Sequence, residues 1–136
     1  MADPMQVEVV SADAEIWSGE AVSVVARTVD GDIGILAGHE PVLAVLVPGA
    51  VEIVCPNGNR ETVVIAVDGG FLSMAQGRIS VLSEYAEVGA EVSLQDAERE
   101  QQEALIALEE GEGDDETKRR YRRATAQVRA AQVERR

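Results

Sequence analysis

The sequence has little cysteine, few aromatic side chains and no long apolar run. Cys55 is the only cysteine among the 136 residues, which excludes a disulfide framework and a metal centre built on several thiolates. No apolar run approaches the roughly 18–20 residues that cross a bilayer. The first residues, Met1 to Pro4, lack the basic and apolar regions of a signal peptide. We therefore expect a protein of a reducing, cytoplasmic compartment.

Basic residues are also scarce, and they are unevenly distributed. The formal net charge is −13 at pH 7, with 25 Asp and Glu against 12 Lys and Arg. Residues 1–90 carry 13 acids and 3 bases, and residues 91–116 carry 11 acids and 1 base. Residues 117–136 carry 1 acid and 8 bases. The excess of acid argues against a nucleic-acid partner for the chain, and the C-terminal stretch is a separate basic segment.

Up to about residue 88 the pattern predicts short strands separated by turns. Val51, Ile53 and Cys55 alternate with Glu52 and Val54, which is the two-residue period of a strand. Asn-Gly between two apolar runs is a strong hairpin signal, and it occurs in the turn Pro56-Asn57-Gly58-Asn59. We predict an antiparallel β-sandwich over residues 1–90. Its expected strands are Met5–Val10, Ala21–Arg27, Val42–Val47, Ala50–Cys55, Thr62–Val67, Phe71–Ala75 and Ile79–Leu82.

After residue 92 the composition changes to one that favours helix. Ser93 is suited to cap a helix that runs from Leu94 to Leu108 without glycine or proline. A connector, Gly111 to Asp115, separates it from a second helix that starts at Glu116, and Asp114 or Asp115 is suited to cap that helix. Two such helices predict an antiparallel helical hairpin over residues 91–136. Its apolar stripes are narrow, so we expect it to be weakly held: Leu94, Ala97, Gln101, Ala104, Leu108 on one helix and Tyr121, Ala124, Val128, Ala131 on the other.

Residues 30–41 hold three glycines and a proline, which predicts a loop with constrained dihedral angles. One interpretation is an interstrand turn in which His39 makes a structural hydrogen bond. Another is an acid–base site that pairs His39 with Asp30 or Asp32, although no nucleophile stands at a recognisable spacing. For the chain as a whole, an alternative hypothesis is a ligand-binding β-sandwich with a helical tail that mediates oligomerisation.

The segment Asp30-Gly31-Asp32-Ile33-Gly34-Ile35-Leu36-Ala37-Gly38-His39-Glu40-Pro41 resembles a pattern of the epsilon subunits of F-type ATP synthases. That pattern is acidic-Gly-acidic-x-Gly-Ile-Leu-x-Gly-His-x-Pro. Ile16 to Ala21 is similar to the family's aromatic-Ser-Gly turn, and Val67 to Leu72 is similar to its Gly-Gly strand start. The resemblance covers residues 5 to about 90 closely, and the helical tail agrees in layout.

The resemblance implies a non-catalytic subunit without cofactor or metal, on the cytoplasmic face of the plasma membrane. Residues 1–90 would dock on the gamma subunit and the c-ring, and residues 91–136 would form a regulatory arm. The subunit would couple proton-driven rotation to ATP synthesis, and the arm would restrain ATP hydrolysis by meeting the catalytic alpha and beta subunits. Carried onto this chain, the c-ring and gamma contacts are Asp30, Asp32, Ile33, Gly34 and His39.

Five bases crowd the start of the second predicted helix: Lys118, Arg119, Arg120, Arg122 and Arg123. In one interpretation they pair with acids of the first helix, namely Glu98, Glu103 and Glu109. The resemblance implies instead that they reach an acidic loop of the catalytic subunits. As two docked states of one arm, both can hold in turn.

Some bacterial members of the family bind ATP through an aliphatic-Asp-x-x-Arg-Ala motif. This chain offers Asp96 and Arg99 at that spacing, but Gln95 replaces the aliphatic residue and Glu100 replaces the alanine. A further carboxylate beside Arg99 disfavours a triphosphate. Asp96 and Arg99 are therefore weak candidates for an ATP site.

Overall fold

The computed structural model describes residues 3–58, 61–111 and 113–135. The predicted turn residue Asn59 and connector residue Glu112 lie outside this part of the chain. The strands are β1 Met5–Val10, β2 Glu15–Ala21, β3 Ser23–Thr28, β4 Gly31–Leu36, β5 Val42–Leu46, β6 Gly49–Val54, β7 Thr62–Val67, β8 Gly70–Ala75, β9 Arg78–Leu82 and β10 Ala86–Val88. A 3-10 turn at Gly89–Glu91 leads to the helices α1 Leu94–Glu109 and α2 Asp115–Glu134.

The strands form one folded sheet in the order β10-β7-β6-β3-β5-β8-β9-β1-β2, with β4 paired to β3 at an edge. Neighbouring strands run antiparallel, except that β1 and β9 are parallel. Alternate side chains point inward and close the core, as in β1, where Met5, Val7 and Val9 are buried. The predicted antiparallel β-sandwich is confirmed. Its largest fully buried side chains include Ile35, Ile53, Ile65, Leu72 and Ile79.

Three strands were missed by the sequence patterns, namely β2, β4 and the short β10. Residues 16–21, interpreted as a turn, lie in β2, and residues 31–36, interpreted as loop, form β4. In β4 the two-residue period is present, because Ile33 and Ile35 face the core. The exposed Asp32, Gly34 and Leu36 alternate with them and mask it. Glycine and aspartate are depleted in strands because they pack little side chain. Pairing with β3 therefore decided the conformation of this segment.

The helical hairpin is confirmed, and its caps explain its boundaries. Ser93 begins α1, where its Oγ accepts a hydrogen bond from the backbone N–H of Asp96 at 3.3 Å. Asp114 begins α2, where its Oδ1 accepts from the backbone N–H of Thr117 at 2.8 Å. Each cap satisfies one of the backbone donors that a helix start leaves free. The second helix thus starts at Asp115, one residue before the predicted position.

Candidate functional site

The β3–β4 hairpin presents the first candidate surface. Its turn is stiffened by Thr28, whose Oγ1 donates to the carbonyl of Gly31 at 2.7 Å and accepts from the backbone N–H of Asp30 at 3.0 Å. Gly31 adopts a φ of 112°, which is strained for any other residue. Asp32 pairs with Arg27 at 3.1 Å, and both side chains are more than half exposed. Such an exposed pair contributes little to stability. The Thr28 hydrogen bonds hold the backbone of the turn, which therefore presents its acidic groups to solvent in a fixed position.

The remaining residues of the 30–41 stretch are spread along β4 and beyond it. Ile33 packs partly against the core, and Gly34 lies exposed in mid-strand. His39 follows the strand, where its backbone N–H donates to Leu36 O at 3.1 Å and its Nδ1–H donates to Glu40 O at 2.6 Å. Asp30 and His39 therefore flank opposite ends of a six-residue strand, at about 3.3 Å of strand per residue. Asp32 lies in the strand itself and pairs with Arg27, and within the described residues His39 makes no hydrogen bond to either aspartate, which argues against the acid–base interpretation.

A second surface on the sandwich was not predicted from the sequence. Val45 of β5, Phe71 of β8 and Leu82 of β9 stand in register across three neighbouring strands. They are 45%, 52% and 52% exposed, and Leu43 beside them is 73% exposed. We call Leu43, Val45, Phe71 and Leu82 the apolar row. A contiguous exposed apolar surface marks an interaction site more often than single exposed residues do. The signal in the sequence was that β5 is apolar on both faces.

The Gly69-Gly70 pair fixes the backbone next to the apolar row. Gly70 adopts a φ of 101°, and a Cβ there would lie 2.0 Å from the carbonyl oxygen of Leu82. No side chain fits at that distance. The glycine therefore lets β8 and β9 approach closely where Phe71 and Leu82 meet.

α2 lies between the sheet and α1 and uses two faces. One face places Val128 and Ala131 against Val92 and Ala97, which agrees with the predicted stripe. The other face packs on β6 and β7 and was missed, because the sequence analysis predicted a single apolar stripe on this helix. Its members are Ala126, Ala130 and Val133, which lie against Val64, Ala66, Ala50 and Tyr85.

The bases of α2 are paired differently from the prediction. Arg120 donates its Nε–H to Glu100 of α1 at 2.6 Å, and Arg119 pairs with Glu116 of its own helix at 3.0 Å. The hydrogen bond to Glu100 raises the pKa of Arg120 above its ordinary value. The expected partners Glu98, Glu103 and Glu109 form no ion pair within the described ranges. The predicted pairing between the two helices is present, but the predicted acidic partners were wrong, because Glu100 is the acid that reaches Arg120.

Three further bases of the cluster, Lys118, Arg122 and Arg123, form no ion pair in the part of the chain that the structure describes. Lys118 and Arg123 are exposed and Arg122 is half-buried. Arg122 lines a groove together with Phe71, Leu82 and Glu84. The basic segment of α2 thus runs beside the apolar row, and part of its charge is not neutralised within the molecule.

Polar contacts join α2 to the sandwich around Tyr85. The Tyr85 hydroxyl donates to Glu87, and the Nε2–H of Gln127 donates to the Tyr85 hydroxyl at 2.9 Å and to Glu87 at 3.3 Å. The Arg123 guanidinium carbon lies 5.1 Å from the centre of the Tyr85 ring. Burial, together with the hydrogen bond to Glu87, raises the pKa of the Tyr85 phenol well above its ordinary value. Sequence patterns gave no sign of this cluster, since Tyr85 and Gln127 are 42 residues apart.

The candidate nucleotide residues lie in an acidic setting. Arg99 pairs with Asp96 at 3.1 Å, and both side chains are about two-thirds exposed. The shallow depression around them is also lined by Glu87, Glu91 and Glu100. Four carboxylates against one arginine repel a triphosphate more than they attract it, so the setting is unfavourable for ATP. No helix in residues 3–58, 61–111 and 113–135 is long and apolar enough to cross a membrane.

Comparisons with known proteins agree with this architecture. Residues 4–89 match the family model of the β-sandwich domain of the ATP synthase delta/epsilon chain. The chain is 49% identical over 120 residues to the ATP synthase epsilon chain of Streptomyces avermitilis, covering 88% of this chain and 91% of that one. It is 46% identical over 131 residues to the epsilon chain of Streptomyces coelicolor, covering 96% and 98%.

A solved structure has a similar fold at low sequence identity. It is a chain in the cryo-EM structure of the OSCP/F1/c-ring part of the Euglena gracilis mitochondrial ATP synthase, with a TM-score of 0.74 and 18% identity. The match covers 98% of this chain and 82% of that chain. The similarity therefore includes the helical pair as well as the sandwich.

Proposed function

The chain belongs to the ATP synthase epsilon-chain family, and we propose that it couples proton-driven rotation to ATP synthesis and restrains ATP hydrolysis. It is a non-catalytic subunit associated with the ATP synthase. The observation that carries the proposal is α2, which brings a cluster of bases to the sandwich through an interface made mainly of alanine. In this proposal residues 1–90 attach the subunit to the rotor, and residues 91–136 form the regulatory arm.

The apolar row is the proposed contact with the gamma subunit. Leu43, Val45, Phe71 and Leu82 expose large side chains that gain free energy when a partner removes them from water. Their in-register arrangement on three hydrogen-bonded strands gives a rigid surface. A rotor subunit that transmits torque needs such a contact, because a mobile loop would yield under load.

The β3–β4 turn is the proposed contact with the c-ring. Asp30 and Asp32 are exposed carboxylates on a backbone held by Thr28, which suits pairing with basic groups on the polar loops of the ring. Gly34 and His39 extend this edge along β4 and past it, and Ile33 anchors the strand in the core. The location that follows is the cytoplasmic face of the plasma membrane, with the subunit held there through its partners.

The arm is the proposed regulator, and the alpha and beta subunits are its targets. Lys118, Arg122 and Arg123 carry charge that no ion pair within the described residues neutralises. One exposed pair contributes about 0–1 kcal/mol, so several of these bases must act together on an acidic partner. Such an interaction weakens as salt rises.

A charge-reversal variant in the reconstituted complex tests this proposal. We expect Arg119→Glu, Arg122→Glu and Arg123→Glu together to raise ATP hydrolysis, and the gain to be larger at low than at moderate ionic strength. Lys118→Arg, which keeps the charge, serves as the control and should change little. An unchanged rate in the triple variant at both ionic strengths would show that these bases do not restrain the enzyme.

A further inference from the structure

Polar contacts join α2 to the edge of the sandwich. Alanines dominate the apolar part of the interface with β6 and β7, so directional contacts must select the docked position. Gln127 supplies two of them, to the Tyr85 hydroxyl at 2.9 Å and to Glu87 at 3.3 Å. Arg129 adds one more through its Nη1–H, which donates to the carbonyl of Pro48.

The sandwich side of this cluster is held in place by Asp68. Its Oδ1 accepts from the Ser83 hydroxyl at 2.8 Å and from the backbone N–H of Tyr85 at 3.2 Å. Its own N–H donates to Tyr85 O at 3.3 Å. Asp68 is buried, and β10 continues the chain directly after Tyr85. The phenol is thus positioned before α2 arrives, which lowers the entropy cost of docking.

The helix side of the cluster includes a base of the proposed regulatory segment. Arg123 stands one turn before Gln127, and its guanidinium lies over the Tyr85 ring at 5.1 Å to the centroid. A guanidinium within about 6 Å of an aromatic ring is attracted to the ring face. While α2 is docked, Arg123 is therefore held at the sandwich.

We propose that Tyr85 and Glu87 form a receptor for Gln127 and Arg123 that holds the arm closed and withholds Arg123 from the catalytic subunits. We call these four residues the Tyr85 clasp. The regulatory half of this inference rests on the proposed function, whereas the clasp itself is a property of the free subunit. Loosening the clasp should release the arm and strengthen the restraint on hydrolysis.

The most informative variant is Tyr85→Phe. It removes the hydroxyl that Gln127 and Glu87 share but keeps the ring under Arg123, and it leaves every proposed regulatory base in place. Arg123 variants are less useful, because they would loosen the clasp and remove a regulatory base at once. Gln127→Ala is the complementary variant on the helix. Tyr121→Phe and Gln132→Ala are matched controls, since within the described ranges neither side chain makes a hydrogen bond.

The first measurement is amide hydrogen exchange in the full-length free subunit. Loss of one hydrogen bond changes a local opening equilibrium by roughly threefold to tenfold. We expect α2 amides to exchange faster by about that factor in Tyr85→Phe and by at least that factor in Gln127→Ala, which loses two hydrogen bonds, with sandwich amides and both controls unchanged. Equal α2 exchange in wild type and both clasp variants would overturn the clasp, whatever the subunit does in the complex.

The second measurement is ATP hydrolysis by reconstituted complexes. We expect Tyr85→Phe and Gln127→Ala to lower the rate, by at most the factor seen in exchange, because the population of released arm rises by that factor. The two controls should match the wild type. Faster α2 exchange with an unchanged hydrolysis rate would overturn the regulatory half of the inference, while a response of the rate to charge reversal would still support the proposed function.

Discussion

The core of the sandwich and the interface beneath α2 are built from different side chains. The core holds large fully buried residues such as Ile53, Ile65 and Leu72. Each contributes about 1.5–3 kcal/mol by leaving water. The interface with α2 is made mostly of alanines, and an alanine buries little area. We therefore expect the sandwich to be stable by its packing, and the docked arm to depend on a few polar contacts and to be released without unfolding the rest.

The sharpest test of this contrast uses two adjacent residues of β8. Leu72 is fully buried and Phe71 is 52% exposed in the apolar row. Leu72→Ala should lower the free energy of unfolding by about 2–5 kcal/mol, because it leaves a cavity. Phe71→Ala should cost less than about 1 kcal/mol but should weaken attachment to the gamma subunit. Denaturant unfolding and co-purification measure the two effects.

An equal loss of stability in both variants would contradict the assignment of Leu72 to the core and Phe71 to the surface. Full retention of the Phe71→Ala subunit on the rotor would contradict the assigned role of the apolar row.

Overpacking beneath α2 should separate the arm from the sandwich. Ala130 is completely buried against the sheet, and Gln132 on the same helix is exposed. Ala130→Leu inserts a side chain where none fits, at a cost of about 1–3 kcal/mol. We expect this cost to fall on docking, so that α2 amides exchange faster while sandwich amides do not. Gln132→Leu is the control and should leave α2 exchange unchanged. Global unfolding of Ala130→Leu would show that arm and sandwich form one cooperative unit.

The smallest effect on stability is expected at the β3–β4 turn. Asp30→Ala combined with Asp32→Ala removes two exposed carboxylates, and such surface changes usually alter stability within about 0.5 kcal/mol. The melting temperature should therefore stay nearly constant, while attachment to the c-ring, followed by cross-linking from this turn, should fall. A double variant that unfolds would show that these aspartates are structural.

What the sequence could predict followed local rules. Strands rich in Val and Ile, such as β6 and β7, were predicted from their apolar runs and the turn between them. Helix starts followed from side chains that cap, as at Ser93 and Asp114. These features depend on residues a few positions apart, so they are visible without tertiary structure.

The features that escaped prediction depend on contacts distant in sequence. The parallel pairing of β1 with β9 joins segments about 70 residues apart. The conformation of β4 was decided by its pairing with β3, against the composition of Asp32 and Gly34. Tyr85 gained its role from Gln127 on a helix that could have packed elsewhere. Neither the pairing of strands far apart in sequence nor the packing of a second helix face on the sheet can be predicted from residues a few positions apart.

The measurement that tests the account most directly is the rate of ATP hydrolysis by complexes lacking residues 91–136. The sandwich keeps its own buried core in this variant, because among the described residues that core contains none beyond Ala86 and Val88. We predict that assembly is largely retained and that hydrolysis is faster than with the full-length chain. An unchanged rate at both low and moderate ionic strength would contradict the account, and the arm would then be a passive appendage of the rotor.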